Sequence, residues 1–365
     1  MYPVINKKIF LTLGIIAASC SFLFAQNNQS NDLSLNIGQH NLSGLINSRY
    51  EYTLREGNED LSSFYLRRIR LDFQGHLFND QISYRILPDF AQTMSLEVAW
   101  ANYAYNDQAQ FRFGLIVVPF HWHRFISSSR HHFVERGEPS ENFGFPSGRD
   151  FGLMFHGRND ENTIAYRAGF FDGAGSKISQ SNSSGNMVSA RLVAAALGQV
   201  PRDETDFEFS ESLNLAFGFG IQAANKNEVR DWSLGRSIPG NNRANWVSGT
   251  GDIHFRWMGF SLAADGYLRN VQPVAEVEDY NGWAYMVSSG YFISPNKLEL
   301  VARYSDLKWD ENDPSTQENE IGLGLNIYHE AHNLKTSIQY LSQFNQDQIQ
   351  IGQNGYFVVE VQLTF

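Results

Sequence analysis

Residues 356–365 read Tyr-Phe-Val-Val-Glu-Val-Gln-Leu-Thr-Phe and decide the fold predicted for this 365-residue chain. Because side chains alternate between the two faces of a strand, one face here is wholly apolar: Phe357, Val359, Val361, Leu363 and Phe365. The other face is mostly polar: Val358, Glu360, Gln362 and Thr364. A terminal strand has an open edge unless it pairs with the first strand of a closed barrel. An alternating strand that ends on an aromatic residue is typical of bacterial outer-membrane barrels, and we therefore predict a transmembrane antiparallel β-barrel.

The first 25 residues are predicted to be a secretory signal peptide. Lys7 and Lys8 form a positive region, and an uncharged apolar run follows over residues 9–25. Cleavage is expected after Ala25, and export places the protein in the outer membrane of a Gram-negative bacterium. An alternative is lipid attachment at Cys20, although the residues before it lack the expected leucine.

Composition excludes several classes of protein. Cys20 is the only cysteine, so the mature chain has neither disulfides nor thiolate metal sites. No second apolar stretch approaches the ~20 residues of a spanning helix. The net charge is −11, and without Lys7 and Lys8 the mature chain has 26 basic and 39 acidic residues, or −13. This acidic balance argues against a nucleic-acid partner.

Period-two alternation predicts about sixteen strands within a barrel at 41–365, after a short polar lead at 26–40. Long connections, such as 173–185, alternate with tight turns, as in outer-membrane barrels. Two connections break the rule, a short one at 90–94 and a long one at 198–210, so an even number from 14 to 18 is expected. The predicted strands are 41–55, 63–78, 81–90, 94–105, 109–119, 149–159, 162–172, 186–197, 211–225, 244–257, 259–270, 280–293, 297–308, 318–329, 333–345 and 355–365.

A soluble β-sandwich or a secreted lectin would also show alternation. Three observations favour the barrel instead: the asymmetry of the loops, the aromatic content of 14% and the terminal Phe365. A soluble alternative has no reason to place long loops at one end only.

Charged residues fix which face of each strand points inward, because an arginine at the midplane of the lipid face costs about 2–4 kcal/mol. The predicted lumen cations are Arg49, Arg68, Arg70, Arg85, Arg112, Arg158, Arg167, Arg191, Arg256, Arg269, Arg303 and Lys335. The predicted lumen acids are Glu51, Asp72, Asp89, Glu97, Asp265, Glu299, Glu320 and Glu360. The lumen is thus predicted to be net basic, and the remaining acids to lie in loops and turns.

A basic lumen has two interpretations. Wall arginines concentrate anions in a water-filled path, or arginines and acids pair across strands and give no selectivity. Sixteen strands leave an aqueous channel. We therefore predict a channel for small hydrophilic solutes and small anions.

The chain from Phe64 onward resembles the phosphate-selective porin O and P family of Gram-negative outer membranes. The matching stretches are residues 64–75 (FYLRRIRLDFQG), 113–114 (FG), 118–120 (VPF), 128–130 (SSR), 133–136 (FVER), 148–157 (GRDFGLMFHG) and 166–173 (YRAGFFDG). The resemblance implies a sixteen-stranded homotrimeric porin whose third outside loop, here residues 120–148, folds into the lumen. Phosphate selectivity in the family depends on channel lysines, whereas Lys335 is the only lysine assigned to this wall.

The third loop supplies further candidate residues. Arg124, Arg130 and Arg136 are plausible constriction cations, because forked guanidinium groups suit oxyanions. The pore-lining and anion-binding candidates are therefore Arg68, Arg70, Arg85, Arg112, Arg124, Arg130, Arg136, Arg158, Arg167, Arg303 and Lys335. Expected partners besides solutes are outer-membrane lipid, lipopolysaccharide and, through Phe365, the barrel-assembly machinery.

Other constellations were weighed against this interpretation. The third loop also carries His121, His123, His131 and His132. Pairs of imidazoles two residues apart suit a transition metal, but no dependable third ligand is visible, so neither a metal site nor a cofactor is predicted. No serine, histidine and polar orienting residue share a lipid face, so no catalytic residue and no enzyme are predicted. A surface receptor or adhesin barrel without significant conductance is the alternative function.

Overall fold

The computed structural model describes residues 35–37, 40–55, 57–77, 80–91, 93–145, 148–176, 185–228, 243–274, 278–344 and 355–365. The predicted signal peptide lies outside the described residues. The described part contains these strands: β1 (Leu35–Ile37), β2 (His40–Leu54), β3 (Leu61–Leu77), β4 (Ile82–Asp89), β5 (Ser95–Ala104), β6 (Gln110–Val117), β7 (Arg149–Arg158), β8 (Ile164–Phe171), β9 (Asn186–Leu197), β10 (Asn214–Glu228), β11 (Arg243–Trp257), β12 (Phe260–Pro273), β13 (Tyr280–Ser294), β14 (Leu298–Lys308), β15 (Gln317–Glu330), β16 (Leu334–Phe344) and β17 (Gly355–Thr364).

The strands form one antiparallel sheet that closes on itself. Each strand from β2 to β16 pairs with the next, and β17 pairs with β2, from Gly355 opposite Leu54 to Thr364 opposite Leu45. These sixteen strands confirm the predicted fold class and strand count. The short β1 pairs with the start of β2. Closure leaves the terminal strand without an open edge.

Alternation along each strand separates an apolar outer face from a polar inner face. Phe113, Leu268 and Leu323 point outward and are at least 60% exposed. In a membrane barrel such side chains contact lipid. Inward-pointing polar side chains, such as those of Gln222 and Asn326, are almost completely buried. The interior of the barrel therefore holds buried polar side chains, together with buried apolar clusters such as that of Met154, Met187 and Trp246.

The wall is unequal in height. Strands β4 to β8 contain 8–10 residues each, whereas β10 to β13 contain 14–15. At about 3.4 Å per residue the shorter strands cover a much smaller height. Strands β4 to β8 therefore form the low section of the wall.

Tight turns join the strands at one end of the barrel. Asp80, Asn296 and Met258 adopt left-handed backbone conformations with φ of 64°, 57° and 50°. Gly259 follows Met258 with φ of 79°, so both central residues of that hairpin have positive φ. This is the requirement of a type I′ turn, which matches the twist of the flanking strands.

Two long connections contain much of the remaining structure. The third loop (residues 120–148) holds the 3-10 helices Trp122–Arg124 and Ser128–Arg130 and the helix α1 (Glu138–Asn142). The long turn (residues 198–213) joins β9 to β10 and has no regular element. A further 3-10 helix spans Pro314–Thr316. Within the described ranges, no helix has the length and apolar character needed to cross a membrane.

Candidate functional site

The third loop lies against the inner wall and is held there through its main chain. Basic and amide side chains from distant strands donate hydrogen bonds to its carbonyl oxygens. These bonds are Arg191 to Phe120 (3.0 Å), Lys335 to His131 (3.2 Å), Arg303 to Glu135 (2.8 Å), Gln339 to His132 (2.9 Å) and Gln362 to Ser129 (3.3 Å). Because carbonyl groups buried without partners are unfavourable, these contacts fix the path of the loop across the lumen.

Glycines on the inner wall make room for the loop. A Cβ atom at Gly220 would collide with the carbonyl oxygen of Phe120. At Gly322 it would lie 2.8 Å from the ring of Phe133. The wall therefore tolerates the loop because these positions carry no side chain.

Glu135 is the centre of a charge cluster that contains three arginines. Its carboxylate accepts from Arg67 Nε at 2.6 Å, and lies 3.0 Å from Arg68 Nη2 and 2.8 Å from Arg49 Nη2. Burial opposes ionisation, but these guanidinium groups hold the pKa of Glu135 well below its usual range. The loop is thus tied to β2 and β3 by three arginines and one acid.

Three of the predicted pore-lining cations are buried under the loop. Arg68, Arg303 and Lys335 are no more than 4% exposed. Arg303 also lies 2.8 Å from Glu320. Alternation assigned these residues to the lumen, and the structure places them where they anchor the loop. The predicted lumen cation Arg70 is similarly engaged, by Asp89 and Glu97.

The arginines of the third loop are paired with acids. Arg124 Nη2 lies 2.6 Å from Glu141, and Arg136 Nη1 lies 3.6 Å from the same carboxylate. Arg130 Nη1 lies 3.0 Å from Asp203 of the long turn. Burial, with the charge of Arg124 nearby, lowers the pKa of Arg136 to about 9. The sequence analysis did not count these acidic partners.

A second set of cations lies on the inner face of the low section of the wall. Arg85, Arg112 and Arg167 lie on β4, β6 and β8. Arg112 stacks over the ring of Trp100 at 4.0 Å, and Arg167 over the ring of Phe125 at 4.2 Å. In the ranges described above, no carboxylate forms a salt bridge with Arg112 or Arg167.

The other cations of this section have acidic partners: Arg85, Arg158 and Arg149, the last of which is bound by Glu97. Arg85 is bound by Asp72 at 2.6 Å, and its side chain is 36% exposed. Arg158 lies at the rim, 3.2 Å from Asp107. The unpaired positive charge on this wall therefore comes from Arg112 and Arg167.

The predicted excess of lumen cations needs a correction. Asp252 on β11 points inward and binds Arg191 with both oxygens at 2.8 Å. Alternation places it on the polar face beside His254, and it also places Asp150 and Glu318 on the polar faces of their strands, so the eight predicted lumen acids are too few. The third loop adds three glutamates that balance its three arginines: Glu135, Glu138 and Glu141.

The long turn also enters the lumen. Glu204, Thr205 and Asp206 are no more than 6% exposed, whereas the acids of this run were assigned to a turn and not to the lumen. Asp206 accepts from the main-chain nitrogen of Gly259 at 2.8 Å. Glu204 accepts from the main-chain nitrogen of His132 at 2.6 Å. The turn and the third loop, which leave opposite ends of the barrel, therefore meet inside it.

Histidines of the third loop surround Glu204. His123 Nδ1 and His131 Nδ1 each lie 3.4 Å from one of its carboxylate oxygens. Burial opposes ionisation, but the neighbouring histidines hold the pKa of Glu204 well below its usual range. Burial lowers the pKa of His131 to about 4. Burial also opposes charge on His123, but Asp265 and Glu204 outweigh it and raise its pKa.

Comparison with known proteins agrees with this architecture. The family model described as phosphate-selective porin O and P matches residues 44–354. An uncharacterized protein of Aquifex aeolicus (strain VF5) is 22% identical over 349 residues, which are 83% of this chain and 80% of that one.

Solved structures share the fold. An anion-selective porin from Comamonas acidovorans superposes with a TM-score of 0.63 at 10% identity and covers 89% of this chain and 99% of its own. The trimer form of OmpT from Vibrio cholerae gives 0.60 at 12% identity, with 90% and 100% covered. Because the family model spans most of the barrel, this chain belongs to the phosphate-selective porin O and P family of outer-membrane porins.

Proposed function

We propose that this porin is a passive diffusion channel for small hydrophilic solutes with a preference for anions. The observation that carries the proposal is the row of cations on the low section of the wall. Arg112 and Arg167 point into the lumen and hold their charge beside aromatic rings rather than carboxylates. Cations on a low-dielectric wall raise the local concentration of anions.

Two of the ion pairs expose the arginine more than its acid, which favours the same direction. In the pair Arg85–Asp72 the arginine side chain is 36% exposed and the aspartate 16%. In the pair Arg130–Asp203 the values are 46% and 20%. In these two pairs a solute meets the cationic partner first, whereas the acid is the more exposed partner in Arg158–Asp107 (44% and 62%) and in Arg124–Glu141 (7% and 40%).

The class of anion is proposed from the chemistry of these groups. Guanidinium forks bind two oxygens of one oxyanion side by side, so phosphate and similar oxyanions fit the row. The only lysine assigned to the wall, Lys335, is buried and bonded to Ser129 and His131 of the third loop. We therefore propose a general preference for small anions and oxyanions rather than selectivity for phosphate over chloride.

The proposed assembly is a homotrimer in contact with outer-membrane lipid and lipopolysaccharide. The outer face of the low section forms an apolar recess of about 900 Å³ that includes Phe111, Phe113, Leu153 and Phe170. Such a surface suits either lipid or another copy of the chain. The main chain of Phe365 pairs with Gly44, and we propose that this terminal residue is read by the barrel-assembly machinery during export.

The test is a measurement of ion selectivity in planar bilayers. In a tenfold gradient of KCl the reversal potential should have the sign of chloride permeation. Adding phosphate should reduce the chloride current through competition. A potential of the opposite sign contradicts the anion preference, and a silent barrel supports the receptor or adhesin alternative.

A further inference from the structure

Three potential metal ligands meet where the third loop reaches the long turn. His123 lies in the 3-10 helix Trp122–Arg124, His131 follows the 3-10 helix Ser128–Arg130, and Glu204 lies in the turn. One ligand atom from each residue lies within 4.8 Å of those of the other two. All three side chains are no more than 4% exposed.

The orientation of His123 is set by a carboxylate behind it. Its Nε2 lies 2.9 Å from Oδ2 of Asp265 on β12. With the proton on Nε2 bound by Asp265, the lone pair of Nδ1 points towards Glu204 Oε1, at 3.4 Å. A carboxylate that binds the far nitrogen of a histidine is the usual outer-shell partner of a metal ligand.

The spacing fits a tetrahedral ion. Bonds of about 2.0–2.2 Å place two tetrahedral ligand atoms roughly 3.4 Å apart. Both histidine nitrogens already lie 3.4 Å from a carboxylate oxygen of Glu204. The largest separation among the three ligand atoms is at most 4.8 Å, so a closure of about 1.4 Å completes the site.

We propose that His123, His131 and Glu204 bind one zinc-class divalent ion that clamps the third loop to the long turn. Two imidazoles and one carboxylate are a ligand set that zinc uses with water in the fourth position. The ion neutralises Glu204 and holds together two segments that enter the barrel from opposite ends. The role is structural, since it fixes the shape of the lumen without taking part in a reaction.

The experiment measures zinc in the purified, untagged protein. The chain is refolded in detergent without metal, incubated with zinc chloride, desalted and analysed by elemental mass spectrometry. We expect about one zinc per chain, and tetrahedral visible bands when cobalt replaces zinc. His131→Asn and Glu204→Gln should each weaken binding at least tenfold, and Asp265→Asn should weaken it about 10- to 100-fold.

The matched control is His254→Gln. His254 is another buried histidine of the lumen with a carboxylate partner, Asp252 at 2.7 Å, and it lies outside the cluster. Zinc binding should be unchanged in this variant. Heat-modifiable migration on denaturing gels checks that each variant is folded.

Two results would overturn the proposal. One is a folded wild-type chain that retains no zinc and shows no tetrahedral cobalt spectrum. The other is binding in His131→Asn and Glu204→Gln equal to that in His254→Gln. If those two variants do not fold, the wild-type stoichiometry and cobalt spectrum decide the question by themselves.

Discussion

Two parts of the inner wall use the same residue type in different ways. On β2, β3 and β14 the arginines are buried against the third loop and bound by acids, as with Arg49 and Glu135 at 2.8 Å. On β6 and β8, Arg112 and Arg167 lie on the inner face and over aromatic rings. The difference teaches that an inward-pointing arginine is held by a carboxylate or by an aromatic ring according to what lies opposite it.

Removing Glu135, the acid that binds the arginines under the third loop, should have the largest effect on stability. Glu135→Ala leaves Arg49, Arg67 and Arg68 without their shared carboxylate, and loss of one partner of a buried pair costs about 3–5 kcal/mol. We expect a lower thermal midpoint and a noisier, larger conductance as the loop loosens. Glu59→Ala on the exposed first loop is the control and should change stability by less than about 0.5 kcal/mol. Equal effects of the two variants would contradict the anchoring role.

Removing the charges of Arg112 and Arg167 should change the ion selectivity without changing the thermal stability. At about 8 Å in water each unit charge contributes roughly 0.5 kcal/mol, so neutralising two lowers anion occupancy about fivefold. Arg112→Gln with Arg167→Gln should therefore reduce the chloride-to-potassium permeability ratio in bilayers, with an unchanged thermal midpoint. Arg158→Gln at the rim, where Asp107 already pairs with the arginine, is the comparison. An unchanged ratio in the double variant would show that ions pass elsewhere.

A change of pH should alter the anion preference by a smaller amount. Burial and the charge of Glu320 raise the pKa of Glu138 in the third loop to about 7. Glu138 is therefore largely neutral at pH 6 and charged at pH 8, and the added negative charge should lower the anion preference, by less than about twofold. Reversal potentials at the two pH values measure the change, and Glu138→Gln should abolish it. The same shift affects stability. Because the pKa of Glu138 is higher in the folded state than its unfolded value of about 4.5, the free energy of unfolding should fall as the pH rises from about 4.5 towards 7.

The exposed ion pair between Arg130 of the third loop and Asp203 of the long turn should have the smallest effect on stability. Arg130 and Asp203 lie 3.0 Å apart, but the arginine side chain is 46% exposed. Pairs of this kind contribute about 0–1 kcal/mol. Arg130→Gln should therefore lower the thermal midpoint only slightly, and less at high salt. A loss as large as that of Glu135→Ala would remove the distinction between buried and exposed pairs.

The fold was predictable because its signals are local. Strand periodicity and the cost of a charge in lipid act within a few residues, so the sixteen strands and the inward faces of the arginines follow from sequence. The partners of those arginines do not follow, because Glu135 and Glu204 lie in segments without periodicity. Glu204 is 72 residues from His132, to which it bonds. The unusual length of the turn at 198–210 was the one signal that this segment had a further role.

The pairing of β17 with β2 has a consequence for how the protein folds. Glu360 on β17 binds Arg49 on β2 at 2.6 Å across 311 residues of chain. Contacts so distant in sequence form slowly, because the ordering entropy of the intervening chain comes first. Until the final strand arrives, Arg49 lacks this carboxylate. Ring closure therefore adds a carboxylate to Arg49 beside that of Glu135 in the third loop, which couples the last strand pairing to the completion of this ion-pair cluster.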